Sequence, residues 1–424
     1  EFKEKFLGYY GPGAAHYNEE AMGFLGDADT NWQDQVLRTA VSQDYNLSVG
    51  GTVGFLPYRI SGSYTMNNGI IKDSQMQRVT AGFNLNPKFF NGLLQINASA
   101  KGYYVRNKWS ETGAVGAAIS YNPTQPVYAN IPTGNDAFPY YYNGFYTPDG
   151  ANHAFNINAG INPVSLFRSK NNYSDVWRSN GNLQIDYALH FLPDLHVNVN
   201  LGYDVTKSTD DNYVFQNSPN AWHDSPRKNG AGYYRHQYYA YRNTMLNVYL
   251  NYKKEFDAIY SMLDVTAGYE WQRFDNRNRN NGTIMTSAGF LNPADNGGQL
   301  LIDPSTESMI GSSYAIENLP YYSGNLILMS FFGRLNYTFK DTYLLTFTLR
   351  DDGTSRFSKD NRWGLFPALA LGWKINNMPF MEGWADNMNE FKLRLGWGVT
   401  GQQAVGGWFP SVPIYTQSTQ GSYY

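Results

Sequence analysis

Two neighbouring carboxylates are the residues of this sequence with the most obvious potential for chemistry. Asp351 and Asp352 stand before Gly353, close to Ser355 and Arg356, and a carboxylate pair suits acid–base chemistry such as glycoside hydrolysis. However, Asp-Gly is a common turn signal, and adjacent side chains in a turn usually diverge. The turn interpretation is much the stronger one, so we predict no catalytic residues and no enzymatic activity.

Metal ligation is the second chemistry to consider. The segments 210–211 (Asp-Asp) and 295–297 (Asp-Asn-Gly) resemble turns at loop tips and lack the spacing of a calcium-binding EF-hand loop. The six His show no HExxH-type spacing, and the sequence has no Cys, which excludes a thiolate site and a disulfide framework. We therefore predict neither a metal site nor a cofactor.

Aromatic side chains are concentrated in two long polar segments, where they offer a binding surface. A sugar ring presents apolar C–H faces to an aromatic plane, while tyrosine also supplies a hydroxyl group for hydrogen bonding. The predicted ligand-binding residues are Tyr140, Tyr141, Tyr142, Tyr146, Trp222 and Tyr233. The alternative, that these rings pack within their own loops or against a partner protein, has equal weight.

The segments that must position these loops alternate between apolar and polar residues. Leu195, Val197 and Val199 point to one side of an extended strand, while His196 and Asn198 point to the other. This pattern predicts strands at 44–51, 57–68, 77–87, 92–106, 180–190, 194–206, 238–253, 258–274, 325–339, 342–351, 363–376 and 390–400. Two-faced spans of about ten residues are typical of strands that cross a membrane.

The connections between these strands alternate in length. Long segments at about 107–179, 207–237 and 275–324 are separated by short turns such as 190–194 and 339–342. Outer-membrane barrels place short turns in the periplasm and long loops outside the cell, whereas a soluble sandwich has no reason to sort its loops. We predict an all-β fold, an antiparallel transmembrane β-barrel, with 1–424 as part of one barrel domain.

Composition agrees with a protein that meets lipid on one side and water on the other. Aromatic residues make up 17% of the 424 residues and charged residues 16%, whereas a typical soluble domain carries about 25% charge. The net charge of −3 offers no basic surface for nucleic acid, and no apolar run is long enough for a membrane-spanning helix. The alternative from another class is a soluble, secreted β-rich glycan-binding protein or glycosidase.

Several stretches resemble the SusC/RagA family of TonB-dependent outer-membrane transporters. The most specific group lies in the last quarter of the chain, and three further stretches lie near its start. They are SFFGRLNY at 330–337, DTYLL at 341–345, LRDDGTSRF at 349–357, NRWGLFPA at 361–368, LRLGWGVTGQ at 393–402, TNWQD at 30–34, VSQDYNLS at 41–48 and NNGII at 67–71. Each is modest alone, but their order and spacing are specific.

The resemblance implies a larger transporter whose barrel has about 22 strands, about 12 of them in this chain. Members of the family also carry a TonB-box and a plug domain, which this sequence lacks. They pair with a SusD-like surface lipoprotein and take energy from TonB–ExbB–ExbD. Their substrates are oligosaccharides or, in some cases, oligopeptides. We therefore expect nutrient import across the bacterial outer membrane, with oligosaccharides as the leading substrate class and oligopeptides as the alternative.

Four basic residues fall on polar positions of the predicted strands. Arg334, Arg350, Lys392 and Arg394 are expected in the barrel lumen, where they face an acidic plug surface or an anionic substrate. Barrel interiors are polar and hold such charges readily, so plug docking is the simpler role. The chain starts at Glu1 without Met or a signal peptide, and we expect an internal or processed piece.

Overall fold

The computed structural model describes residues 1–129, 144–146, 160–215, 218, 220–221, 233–285, 302–303, 308–309, 322–384 and 390–403. They form one large antiparallel sheet in which the strands follow each other in chain order. This meander is the strand order of an up-and-down barrel. No helix among the described residues is both long enough and apolar enough to cross a membrane.

The strands of the sheet pair with their neighbours in sequence, and two short strands form a separate hairpin. They are β1 (Ser42–Val53), β2 (Leu56–Asn68), β3 (Gln75–Leu85), β4 (Lys88–Phe89), β5 (Leu94–Trp109), β6 (Lys170–Leu189), β7 (Leu192–Val214), β8 (Tyr233–Phe256), β9 (Ser261–Met285), β10 (Ile302–Asp303), β11 (Ser308–Met309), β12 (Tyr322–Phe339), β13 (Tyr343–Thr354), β14 (Trp363–Lys374) and β15 (Lys392–Gly398). The order runs from β1 to β15, with β4 paired only to β5, while β10 pairs with β11 apart from the sheet.

Helices occupy the connections rather than the sheet. The α-helices are α1 (Phe2–Tyr10), α2 (Glu19–Met22), α3 (Trp32–Val36), α4 (Gly113–Ser120) and α5 (Pro163–Arg168). Short 3-10 turns span Phe90–Gly92, Asp257–Ile259, Lys359–Asn361, Ile375–Asn377 and Pro379–Trp384.

The strand register aligns similar residues into rows across the sheet. Val199 lies opposite Val248, Val248 opposite Tyr269, and Tyr269 opposite Phe331. Because side chains alternate along each strand, these rows form an apolar face. Residues such as Asn198 and their row neighbours form the opposite, polar face.

The apolar face remains exposed. Leu47 is 74% exposed, Leu395 61% and Trp397 62%. A soluble sandwich would bury such a face against a second sheet, and a patch of this size in water would drive association. Hydrocarbon is the solvent in which it is stable, so the face is that of a lipid-facing barrel wall, as the alternation predicted.

The buried core lies outside the sheet, in a group of connections that we call the loop cap. It joins α3, α4 and α5 through buried apolar side chains. They are Trp32, Val36, Ala114, Ala118, Tyr121, Phe145, Val164, Leu166 and Phe167. Most of them come from the long connection between β5 and β6, and Trp32 and Val36 come from the segment before β1. The cap therefore sits at the end of the sheet that faces the outside of the cell in an outer-membrane barrel.

All twelve predicted strands are present. The expected long loops need correction, because β6 begins at Lys170, β7 runs to Val214, β8 begins at Tyr233 and β9 runs to Met285. These extensions are polar on both faces. Beyond the bilayer both faces meet water, so the apolar–polar alternation that marks a strand in sequence disappears there.

Candidate functional site

The loop cap is held by a buried tryptophan. Trp32 is 3% exposed, and its indole N–H donates to the carbonyl oxygen of Asn122 at 3.0 Å. Its ring meets Tyr121 edge-on, with 4.8 Å between centroids. A bridge between Leu37 and Ile71 then ties the end of α3 to the β2–β3 connection. The cap therefore has a packed interior and a fixed position on the sheet.

Asn162 joins the cap to the segment that carries the predicted tyrosines. It is fully buried, and its side-chain oxygen accepts from the backbone N–H groups of Val164 at 3.0 Å and Ser165 at 3.4 Å. Its amide nitrogen donates to the carbonyl oxygens of Val127 at 2.9 Å and Tyr146 at 3.1 Å. The side chain of Asn162 thus caps the N-terminus of α5 and donates hydrogen bonds to backbone carbonyl groups of the two segments beside it.

A second buried asparagine attaches the next long connection. The amide of Asn220 donates to the carbonyl oxygen of Leu166 at 2.7 Å and to the hydroxyl oxygen of Ser169 at 2.6 Å. Neither asparagine is among the residues predicted from the sequence. The pair Asn162-Pro163, an N-cap followed by a proline in the first turn of α5, was the available signal for the first. Nothing local marks Asn220, because its partners lie far away in the sequence.

The structure places only part of the predicted aromatic surface. Tyr140, Tyr141, Tyr142 and Trp222 lie outside the described residues, and of Tyr233 only the backbone is described, as the first residue of β8. Tyr146 is half-buried and donates its backbone N–H to Val127 at 3.1 Å. Its ligand-binding role stays a prediction.

Tyr128 gives the tyrosine-rich segment an exposed ring. It stacks on Phe145 with centroids 5.0 Å apart and an interplanar angle of 22°, yet 60% of its surface is exposed. Phe145 is itself buried in the cap core. A flat, supported ring beside backbone polar groups is a surface on which a sugar ring can stack.

On the polar face, Arg350 is tied to three strands. Its Nε donates to Asp352 at 2.7 Å, and its terminal nitrogen donates to Ser330 at 2.9 Å and Glu270 at 3.2 Å. The guanidinium also lies 5.8 Å from the centre of the Phe332 ring. Arg350 is therefore committed to cross-strand contacts and is not a free cation for a substrate.

The other three basic residues of the predicted lumen set share this face, as the register shows. Arg334 lies opposite Thr348 and is exposed, with its Nε donating to Asn336 at 3.3 Å. Lys392 and Arg394 lie on β15 and form no ion pair with any described residue. The four are spread along the strands rather than clustered, and their role stays a prediction.

The carboxylate pair of the last hairpins does not form a catalytic site. Asp351 and Asp352 lie within β13, not in a turn as predicted, so their side chains point to opposite faces of the sheet. Asp352 accepts from Arg350, while Asp351 lies opposite Phe331 and Leu365. Two carboxylates on opposite faces cannot act on one substrate.

Asp210 and Asp211 also lie in a strand rather than at a loop tip. They belong to the polar extension of β7, where Asp211 accepts a hydrogen bond from His236 at 2.8 Å. This contact raises the pKa of His236, while burial raises the pKa of the Asp210 carboxyl. Among the residues that the structure describes, no three His, Asp or Glu side chains are grouped to hold a metal ion.

Comparisons with known proteins identify relatives of this chain. The chain is 38% identical to the TonB-dependent receptor SusC of Bacteroides thetaiotaomicron over 410 residues, which are 94% of this chain and 38% of that protein. It is 25% identical to the TonB-dependent receptor P3 of Formosa agariphila over 90% of this chain and 35% of that one. The chain belongs to the SusC/RagA family. A scan against protein-family models finds no match.

Solved structures of this family share the fold. The RagAB peptide transporter superposes with a TM-score of 0.63 at 18% sequence identity, covering 95% of this chain and 42% of that one. The chain thus spans well under half the length of the relatives that it matches. The curated relatives named above are receptors and not enzymes, in agreement with the sequence prediction. The family assignment places the chain in the bacterial outer membrane.

Proposed function

We propose that this chain supplies part of the barrel wall and of the outer capture surface of a TonB-dependent importer of oligosaccharides. The observation that carries the proposal is the 38% identity to SusC over 94% of the chain, because it extends through the connections as well as the strands. Energy from TonB–ExbB–ExbD would reach the substrate through a plug of the kind that SusC/RagA transporters possess.

Two features of the structure support a sugar as the cargo. The polar face is lined by neutral hydrogen-bonding groups, such as Asn182 and Asn200, whose side chains are 2.6 Å apart, and Asn251, which donates to Asp264 at 2.8 Å. Amides and hydroxyls match the hydroxyl groups of a sugar in either direction. Above them, the exposed ring of Tyr128 provides a stacking surface.

The outer surface of the cap also supports a SusD-like lipoprotein as a lid. Ile119 on α4 is 71% exposed and Ile70 in the β2–β3 connection is 66% exposed. Both lie at the long-loop end, beyond the reach of the bilayer. Apolar side chains exposed to water at this end are suited to contact with a partner protein.

The test uses the full-length gene product in its native outer membrane. Detergent extracts are examined for a protein larger than this chain that copurifies with a lipoprotein, and the purified complex is titrated calorimetrically with panels of oligosaccharides and oligopeptides. We expect binding of oligosaccharides and about five- to tenfold weaker binding in Tyr128→Ala, because a stacked ring contributes about 1 kcal/mol.

Thr112→Ala is the matched control, since it changes an exposed residue of the same cap whose side chain does not cap α4, without removing an aromatic ring. Binding of oligopeptides but no oligosaccharide would overturn the substrate class and leave the importer. A water-soluble product without a lipoprotein partner would overturn the importer itself.

A further inference from the structure

The outer side of the barrel carries a cationic surface at the upper edge of its apolar face. We call it the interface patch and define it as Trp177, Lys207, Arg242, Arg273 and Arg277. Lys207 lies opposite Trp177 on one side and Ala240 on the other, and Ala240 lies opposite Arg277. Arg242 lies one row lower, opposite Asp275, and Arg273 lies one row below that, opposite Thr244.

The patch is continuous with the lipid-facing rows. The row below Arg273 consists of Leu201, Leu246, Trp271 and Met329. A strand that rises about 3.3 Å per residue at a tilt of about 40° climbs about 2.5 Å per residue along the membrane normal. From Leu195 to Tyr203 it therefore spans about 20 Å, close to the height of the apolar band of a barrel, and Lys207 lies about 10 Å higher, at the level of lipid headgroups.

The patch has a surplus of positive charge. Asp275 accepts from Arg242 at 2.7 Å and forms an ion pair with Arg273 at 2.9 Å, so one carboxylate is shared by two guanidinium groups. Lys207 and Arg277 are exposed and form no ion pair with any residue in the described ranges. Within the patch four cations thus share one carboxylate, and the nearby carboxylate on β6, Asp175, is paired with Arg106.

A second group of basic residues, at the corresponding end of β5, lacks this surplus of positive charge. Arg106 follows Leu94 by the same number of residues by which Lys207 follows Leu195, which places the two cations at similar heights. Arg106 pairs with Asp175 at 3.6 Å, and Lys108 pairs with Asp73 at 3.6 Å. Basic residues at the membrane edge are therefore not uniformly unpaired, and of the two described surfaces compared, the one on β7–β9 has the surplus of positive charge.

The patch also joins two depressions of similar size. One, of about 640 Å³, is lined by charged residues, Lys207, Arg242, Asp275 and Arg277, together with apolar and aromatic ones. The other, of about 650 Å³, is lined by Val79, Ala81, Gly102 and Trp177 among others, and Val205 and Lys207 border both. The small side chains of Ala81 and Gly102 leave a groove in the apolar face directly beside the cations.

We propose that the interface patch binds one phosphorylated glycolipid of the outer leaflet, of the lipid A type. Its phosphate lies between Lys207, Arg242 and Arg277, since guanidinium and ammonium groups are strong partners of phosphate. The exposed ring of Trp177, 63% of whose surface is accessible, meets the headgroup sugar, and an acyl chain lies in the groove over Ala81 and Gly102. This site is on the lipid side of the wall and is independent of the cargo that the lumen carries.

The experiment reconstitutes the full-length receptor in nanodiscs of phosphatidylcholine that contain lipid A with its phosphate or the same lipid A after dephosphorylation. Native mass spectrometry then counts the lipid A molecules retained when the protein is released into detergent. We expect retention of the phosphorylated form. The double variant Lys207→Gln, Arg277→Gln should retain it about thirtyfold less strongly, because each basic residue at a lipid surface contributes about a factor of five.

Arg106→Gln with Lys108→Gln is the matched control, because it removes two cations that are already paired from a similar height. It should retain the lipid within a few fold of the wild type. Lys207, Arg277 and Arg106 are exposed and Lys108 is half-buried. The altered electrophoretic mobility of the unheated barrel verifies that each double variant is folded.

Three outcomes would overturn the site: equal retention by both double variants, equal retention of the dephosphorylated lipid, or displacement of the lipid by millimolar inorganic phosphate. The last would show a simple anion site. Capture of a protein at this face in place of lipid A would assign the patch to a partner and would overturn it as well.

Discussion

The barrel wall and the loop cap treat their large apolar side chains in opposite ways. In the wall Leu395 is 61% exposed and Trp397 62%, whereas in the cap Val36 is fully buried and Trp32 is 3% exposed. The driving force is the same in both regions, namely removal of apolar surface from water. The wall achieves this by facing lipid, while the cap, which stands in water, must bury its side chains in a core of its own.

This contrast shows that one chain is folded for two solvents. The polar face of the wall carries amides and ion pairs such as those of Arg350, and the cap uses a buried amide to end a helix and to join segments, as at Asn162. A substitution that adds charge should therefore be costly on the lipid-facing wall, whereas one that removes volume should be costly in the core of the cap.

The largest expected effect comes from the core of the cap. Trp32→Ala should destabilise the cap by about 3–5 kcal/mol, because it removes a buried ring and leaves a cavity. Hydrogen exchange should then rise throughout α3, α4 and α5 while the sheet remains protected. Thr112→Ala, an exposed change at the start of α4, should alter nothing measurable. A loss of sheet protection in Trp32→Ala would show that cap and wall fold as one unit.

A charge in the wall should have the next largest effect. Leu369→Arg places a cation in the middle of the apolar face and should destabilise the barrel in lipid by about 2–4 kcal/mol. Ala370→Arg, one residue later, points to the polar face and should cost about 0–1 kcal/mol. Urea titrations of both variants in vesicles measure the difference. Equal costs would contradict the assignment of the two faces.

The asparagine that joins the cap to the tyrosine-rich segment should contribute less. Asn162→Ala leaves buried N–H and carbonyl groups without partners, at a cost of about 2 kcal/mol. Exchange should rise at Val127 and Tyr146 as well as in α5. Asn162→Asp keeps the oxygen acceptors for α5 but removes the donation to the two carbonyls, so it should expose the tyrosine-rich segment and spare the helix. Identical exchange patterns in the two variants would contradict this division of roles.

The smallest effect is a pH dependence in the strand extensions. The pKa of His236 is raised by its contact with Asp211, so the protonated contact adds stability below the ordinary value of about 6.5 and loses it as pH rises through the raised value. Amide exchange at the ends of β7 and β8, corrected for intrinsic rates, should be slower at about pH 6 than at about pH 8. His236→Gln should abolish the difference, and a persistent difference in that variant would assign it to Asp210 or another group.

The sequence predicted the strands well where they cross the bilayer and poorly above it. Leu195 to Val205 alternates cleanly because its two sides meet lipid and water, and the strand is present as predicted. The continuation to Val214 reads as loop in sequence, since two hydrated faces require no alternation. The same reasoning explains the misplacement of Asp210, Asp211 and Asp351, which were interpreted as turn residues from local composition alone.

Only part of the candidate site could be predicted, because the local sequence does not show which distant residues become neighbours on folding. The number of tyrosines predicts a binding surface in that segment, and this stays a prediction, whereas nothing in the sequence predicts the groups that fix the segment. Asn162 and Asn220 act through partners that only folding brings near, at Val127 and Leu166. The motif TNWQD was recognised as a family feature, yet nothing in its letters shows that Trp32 is the centre of a packed cap.

The sequence by itself determined that this chain forms an all-β wall with one lipid face and one polar face, because a period of two is set by strand geometry and survives any arrangement of neighbours. It also determined the family, through motifs whose order is independent of the fold's details. Only the tertiary structure decided which basic side chains form ion pairs with the described carboxylates and which do not. Arg350 is fixed by Glu270, Ser330 and Asp352 from three strands, while Lys207 and Arg277 form no ion pair with a carboxylate in the described part of the chain. The register between strands decides which of these side chains are neighbours, and register is a property of the assembled sheet rather than of any one strand.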